Sequence, residues 1–168
     1  MLSLPMLTTL ITLLLSPPAL ALPSALHTRA DEACAPTSYT ISAYSLTTSP
    51  TSGQVSFTLQ SSFSSSTDVI DSVQDGAQCL ANGPVIPNSN ECEVDGRRLL
   101  FDLRGPQDEA YYQITHTWTC EGSTWMSGTP VKMGPLTCVV DGMTRICRTD
   151  TQTVVPENVR KICATPTC

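Results

Sequence analysis

The sequence predicts an all-β fold, a single compact antiparallel β-barrel or sandwich stapled by disulfides. Three observations carry this. Apolar and polar residues alternate with period two in several short runs, Asp-Gly pairs punctuate the chain, and eight cysteines lie beyond an apolar N-terminal segment. No stretch sustains the 3.6-residue periodicity of an amphipathic helix.

The opening run MLSLPMLTTLITLLLSPPALALPS has the length of a signal peptide and is too short and too proline-broken to span a bilayer. Ala19, Leu20 and Ala21 supply the small residues of a cleavage site. Residues 1–21 are therefore expected to be a signal peptide. Residues 22–33 form a short polar segment in which Arg29 offers a second trimming site, and 34–168 form one disulfide-rich β-domain of about 140 residues. No later segment is long and apolar enough for a transmembrane helix or lipid-anchor tail, so the expectation is a secreted, extracellular protein.

The strands follow in order. YTISAYSL and QVSFTLQSSF alternate, with Val55, Phe57 and Leu59 on one face, and the turn-rich TTSPTSG between them makes a hairpin. The serine-dense SSFSSSTD reads as a loop or edge. Asp75-Gly76, Asp95-Gly96 and Asp141-Gly142 mark turns. RRLLFDLRG places Leu99, Phe101 and Leu103 on one face, and GPQDE leads into YYQITHTWTC. There Tyr112, Ile114, His116, Trp118 and Cys120 share a face, opposite Gln113, Thr115, Thr117 and Thr119. WMSGTPVKM continues after the turn EGST. PLTCVV and MTRICR form the last hairpin, and VVPENVRKIC is expected to carry one helical turn after Pro156. The sum is eight or so strands.

An even cysteine count in an oxidising compartment reads as a disulfide framework. Locality favours Cys79 with Cys92, and Cys138 with Cys147 around the Asp141-Gly142 turn. Cys34, Cys120, Cys163 and Cys168 remain for long-range ties whose pairing the sequence leaves open. A metal site is not expected: there is no CxxC pair, and trimming at Arg29 removes His27 and leaves His116 as the one histidine.

The formal charge of -6 repels phosphate backbones, which argues against nucleic acid and anionic membranes as partners. Arg97, Arg98 and Arg104, and Arg160 with Lys161, form small groups rather than a stripe. No GxSxG elbow accompanies the serines. Asp102, Asp108, Glu109 and Glu121 flank the central strands and are the carboxylates a glycosidase reading would need. His116 reads as a hydrogen-bonded core residue, with ligand contact at a barrel mouth as its alternative. Trp125 follows a turn and Tyr111 lies on a polar face, so both are candidates for ligand or partner contact. No Asn-x-Ser/Thr sequon occurs, and no cofactor is implied.

The early cysteine, YTISAYS, the mid-chain cysteine pair, LLFDL, YYQITHTWTC and the late cysteine hairpin together resemble the Alternaria major-allergen-like family of fungal secreted proteins, over most of Cys34 to Cys147. The resemblance implies a compact antiparallel β-barrel or sandwich, with Cys79–Cys92 and Cys138–Cys147 as its internal bridges. It also implies a non-enzymatic secreted protein that is allergenic or engages plant defence proteins. Cys34 matches a cysteine that in the family can link two protomers, which raises a homodimer. Cys120, Cys163 and Cys168 depart from the pattern and leave an intrachain partner for Cys34 open as well. The functional expectation is a non-catalytic effector-like or allergen-like protein that binds an extracellular host protein. The alternative is a carbohydrate-active enzyme or wall-binding module. A third reading, a small-molecule carrier, would require a cavity.

Overall fold

The backbone of the domain is set by two long strands that alternate buried and exposed residues, and a computed structural model describes residues 33–64 and 68–163. The signal-peptide and trimming expectations, and Cys168, lie outside these residues. β1 (Pro36–Ser49) and β2 (Ser52–Phe63) form the expected hairpin. β3 (Val69–Ile70), β4 (Ala77–Gly83) and β5 (Asn90–Glu91) follow. After them come β6 (Leu99–Leu103), β7 (Tyr111–Cys120) and β8 (Ser123–Lys132). The chain closes with β9 (Thr137–Asp141), β10 (Thr144–Arg148), β11 (Gln152–Val154) and β12 (Arg160–Lys161).

These strands make two antiparallel sheets. One runs β4-β2-β1-β10-β9, with β11 also pairing β1, and the other runs β12-β8-β7-β6-β5, with β3 pairing β7. Each sheet ends in open edges, so of the two architectures expected from sequence the fold is the sandwich and not the closed barrel. Inward-facing residues of both sheets interdigitate, as aligned sandwiches require. Phe57 of β2 meets Phe101 of β6 edge-on with ring centroids 5.0 Å apart, and Tyr44 of β1 meets Tyr112 of β7 at 6.2 Å. The gap lined by Ile41, Phe57, Tyr112, Ile114, Val131 and Met133 admits no water-sized sphere, so this part of the core offers no room to a carried ligand.

β1 departs from simple alternation. Ser42 pairs Thr58 but Ser45 pairs Ser56, so one extra residue is inserted, and Ala43 takes φ 53° in the left-handed region. This is a β-bulge, and it moves the inward phase from odd to even positions. Tyr39, Ile41, Tyr44 and Leu46 are consequently all buried, although strict alternation from Tyr39 would turn Tyr44 and Leu46 outward.

The helical turn expected after Pro156 does not form. The Glu157 backbone N–H donates to Thr129 Oγ1 at 3.0 Å, its carbonyl accepts from Gly128 at 3.2 Å, and Arg160–Lys161 pair Met126 and Trp125. The outer edge of β8 uses these backbone groups, which a helix would have turned on itself.

Disulfides join Cys34 to Cys120, Cys79 to Cys92 and Cys138 to Cys147. Cys163 is also disulfide-bonded. The first bond fixes the beginning of the domain to the end of β7. It thereby occupies the cysteine that the family resemblance would use to link two protomers, so in this oxidised form a dimer joined through Cys34 is excluded.

Candidate functional site

A cluster of chemically capable side chains sits between the sheets. His116 reaches it because β7 points its even residues inward, and its register neighbours are Leu99 on β6 and Ser127 on β8. His116 is 0% exposed. Its Nδ1 lies 2.9 Å from the Tyr39 hydroxyl of the opposite sheet, which in turn lies 2.6 Å from Ser127 Oγ. Its Nε2 lies 3.0 Å from Asp71 Oδ1. The Ser61 hydroxyl donates to Asp71 Oδ2 at 2.5 Å, and the Val73 backbone N–H donates to Oδ1 at 2.9 Å.

The proton positions follow from this geometry. A carboxylate can only accept, so Nε2 carries a proton toward Asp71. The Tyr39 hydroxyl can rotate: it donates to a bare Nδ1 while accepting from Ser127, or accepts from a protonated Nδ1 while donating to Ser127. Burial alone would raise the Asp71 carboxyl, but His116, Ser61 and Val73 outweigh it and hold it below its ordinary value of 3.8. Burial drives the Tyr39 hydroxyl upward, against the bond from Ser127. The Tyr44 hydroxyl is likewise raised by burial, and its partner Tyr112, 2.9 Å away, is pushed up to about 12.

The Asp71–His116–Tyr39 chain has the order of an acid-base relay but lacks a reactive end. The nearest serine, Ser127, is held by Tyr39 rather than by the imidazole, and Tyr39, His116 and Ser127 are all enclosed. A nucleophile needs its base in contact and a path for substrate. The constellation therefore ties the two sheets together. Its members satisfy one another, as buried polar groups must.

The contact candidates fall differently. His116 is fully enclosed and hydrogen-bonded in the core, the first of the two readings its strand position offers. Trp125 is 6% exposed and packs with Trp118, Cys34 and Cys120 in a second small core flanked by Phe63, Val69 and Val159. The turn before it does not expose it, because β8 points it inward opposite Trp118 and the pair Cys34–Cys120 covers it. Trp118 donates its indole N–H to the Cys34 carbonyl at 2.9 Å, whereas the Trp125 indole nitrogen is buried with no hydrogen-bond partner. Tyr111 alone remains half-buried at the start of β7.

Asp108 and Glu109 do not converge with Glu121. Asp108 and Glu109 precede β7 and Glu121 follows it, so ten residues of strand, roughly 30 Å, separate them, well beyond the reach of a glycosidase pair. Asp102 accepts from the Ser89 backbone N–H at 2.5 Å. Among the described residues, no group of His, Cys, Asp and Glu could hold a metal ion. Sequence reasoning missed Tyr39, Asp71, Ser61 and Ser127; the inward phase of Tyr39 and of Ser61, in line with Val55, Phe57 and Leu59, was readable from the strand pattern.

No family model and no curated protein matches the chain. Among solved structures it is similar to the crystal structure of Alternaria alternata allergen Alt a 1, with a TM-score of 0.49 and 9% sequence identity, over 75% of this chain and 89% of that chain. At that level the likeness says nothing of the site.

Proposed function

We propose that the protein is a secreted, disulfide-stabilised binding protein without catalytic activity, of the effector-like or allergen-like kind, and that its partner is an extracellular host protein of plant origin. The observation that carries the reading is the enclosure of the buried acid-base chain: Asp71, His116 and Tyr39 spend their hydrogen bonds on one another and on Ser61 and Ser127, which leaves the surface as the functional part of the molecule. Support also comes from the apolar leader, from the acidic charge that disfavours nucleic acid, and from a disulfide framework suited to an oxidising space.

The test is a pull-down from plant apoplastic fluid with the oxidised protein, with reduced and unfolded protein as control. A plant protein retained only by the folded form is expected. Retention of no protein by the folded form overturns the reading.

A further inference from the structure

Sheet edges are where unpaired backbone groups collect, and most edges of this sandwich are blunted. β3, β5, β11 and β12 are three residues long or shorter. β4 is capped by the segment after β5, through the Cys79–Cys92 bridge and the bond from Glu93 N–H to the Gln78 carbonyl at 2.7 Å. β9 is different. It is a five-residue outer strand with no lysine or proline, and it carries Val139 at 63% and Val140 at 68% exposure, with Met143 at 81% in the adjoining turn.

The geometry points to a second copy of this chain as the occupant of that edge: we propose that two molecules pair non-covalently, antiparallel, β9 to β9, with Val139 on the two-fold axis. The register decides which backbone groups are free. Asp141 and Thr144 close the β9–β10 hairpin across the two-residue turn Gly142-Met143, so Asp141–Thr144, Val139–Ile146 and Thr137–Arg148 are the hydrogen-bonded pairs. Cys138–Cys147 is then a non-bonded pair, in keeping with its Cα separation of 4.0 Å. The N–H and C=O groups of Cys138 and Val140 therefore point away from β10, toward solvent.

Those outward groups are self-complementary. With Val139 opposite Val139 of the second copy, Cys138 of each chain faces Val140 of the other, and each such pair exchanges two hydrogen bonds, about four in all. On the face shared by residues 137, 139 and 141, the two Val139 side chains come into the close contact of a non-bonded pair. The Thr137 hydroxyl of each chain lies opposite the Asp141 carboxylate of the other, with Arg148 one strand further along the same row. A slip of one residue would set the outward-pointing groups of one chain opposite groups of the other that are already bonded to β10, and would lose the ladder.

The test is sedimentation of the oxidised protein, produced in a secretory host, at rising concentration, together with amide hydrogen exchange. A monomer–dimer equilibrium is expected, with the Cys138 and Val140 amides gaining protection as dimer forms. Val140→Pro removes an outward donor while sparing the β9–β10 bonds, and Val139→Lys sets two like charges on the axis. Each should weaken association by roughly tenfold or more, because the two-fold axis doubles every loss. A wild-type protein that stays monomeric overturns the proposal. So does a dimer whose Cys138 and Val140 amides gain no protection, and that second readout does not depend on either variant folding.

Discussion

The Tyr39 hydroxyl and His116 Nδ1 meet at 2.9 Å across the two sheets and join β1 to β7 inside the core. Substituting His116 takes one hydrogen bond from Tyr39, which keeps Ser127, and one from Asp71, which keeps Ser61 and Val73, inside an enclosed site. His116→Gln should lower stability by about 1 to 3 kcal/mol, the cost of taking hydrogen bonds from buried polar groups. Thermal unfolding followed by circular dichroism measures it; an unchanged melting temperature would contradict the tie between the sheets.

Asp71 gives that network a pH dependence. Its carboxyl is held below the ordinary value of 3.8, so the folded state binds this proton less readily than the unfolded chain. The stabilisation it provides is present above the ordinary carboxylate range and is lost as pH falls from there through the lowered folded value. Denaturant unfolding of wild type and Asp71→Asn across acid pH should show a steep loss in the first and a shallower one in the second. Parallel curves would assign the acid sensitivity elsewhere.

Tyr44 and Tyr112 pair hydroxyl to hydroxyl at 2.9 Å inside the core. Removing one oxygen leaves the other buried and unpaired, while removing both leaves nothing unsatisfied. Tyr44→Phe should cost about 1 to 2 kcal/mol, and the double change Tyr44→Phe with Tyr112→Phe should cost less than that single change. A double-mutant cycle by chemical denaturation decides it, and additive losses would argue against the pairing.

The bulge at Ala43 holds a non-glycine residue at φ 53° on the surface. Glycine relieves the left-handed strain at the expense of a freer unfolded chain. Ala43→Gly should therefore leave stability unchanged or raise it by up to about 1 kcal/mol, whereas a β-branched Ala43→Val should lower it. Equal destabilisation by both would show that the bulge is not the fixed feature of β1.

Cys34–Cys120 and Cys138–Cys147 should differ in worth because they close loops of 86 and 9 residues. On chain entropy, replacing both cysteines by serine should cost about 4 to 5 kcal/mol for the first bond and about 2 to 3 for the second. Guanidinium unfolding of the two double-serine proteins compares them, and a reversed order would place the effect in native-state packing.

What could be read from the chain alone tracks the range of each interaction. The β1–β2 hairpin, the inward face of Tyr112 through Cys120 and the β9–β10 hairpin are written in alternation and turn residues a few positions apart, and they are where the pattern places them. The phase change at Ala43 was invisible, since an inserted residue leaves both halves of β1 alternating. Sandwich and barrel share one strand pattern and differ only in whether the edges meet. Of the buried polar chain, the sequence marks His116 and its face, but Asp71 lies 45 positions away and Tyr39 lies 77 away, so nothing local announces that they converge. Trp125 looked like a surface group because a turn precedes it; the covering comes from Cys34, at the far end of the domain.

The bond from Cys34 to Cys120 also changes what a protease can accomplish. Hydrolysis of one peptide bond anywhere in the 86-residue interval it spans releases no fragment, because both products stay covalently attached to each other. β1 through β6 lie within that interval and β8 through β12 beyond it, so a nicked molecule keeps strands from both sheets in one particle. Surface features assembled from the two sheets together, including any that an antibody would recognise, are thereby able to survive the first cut.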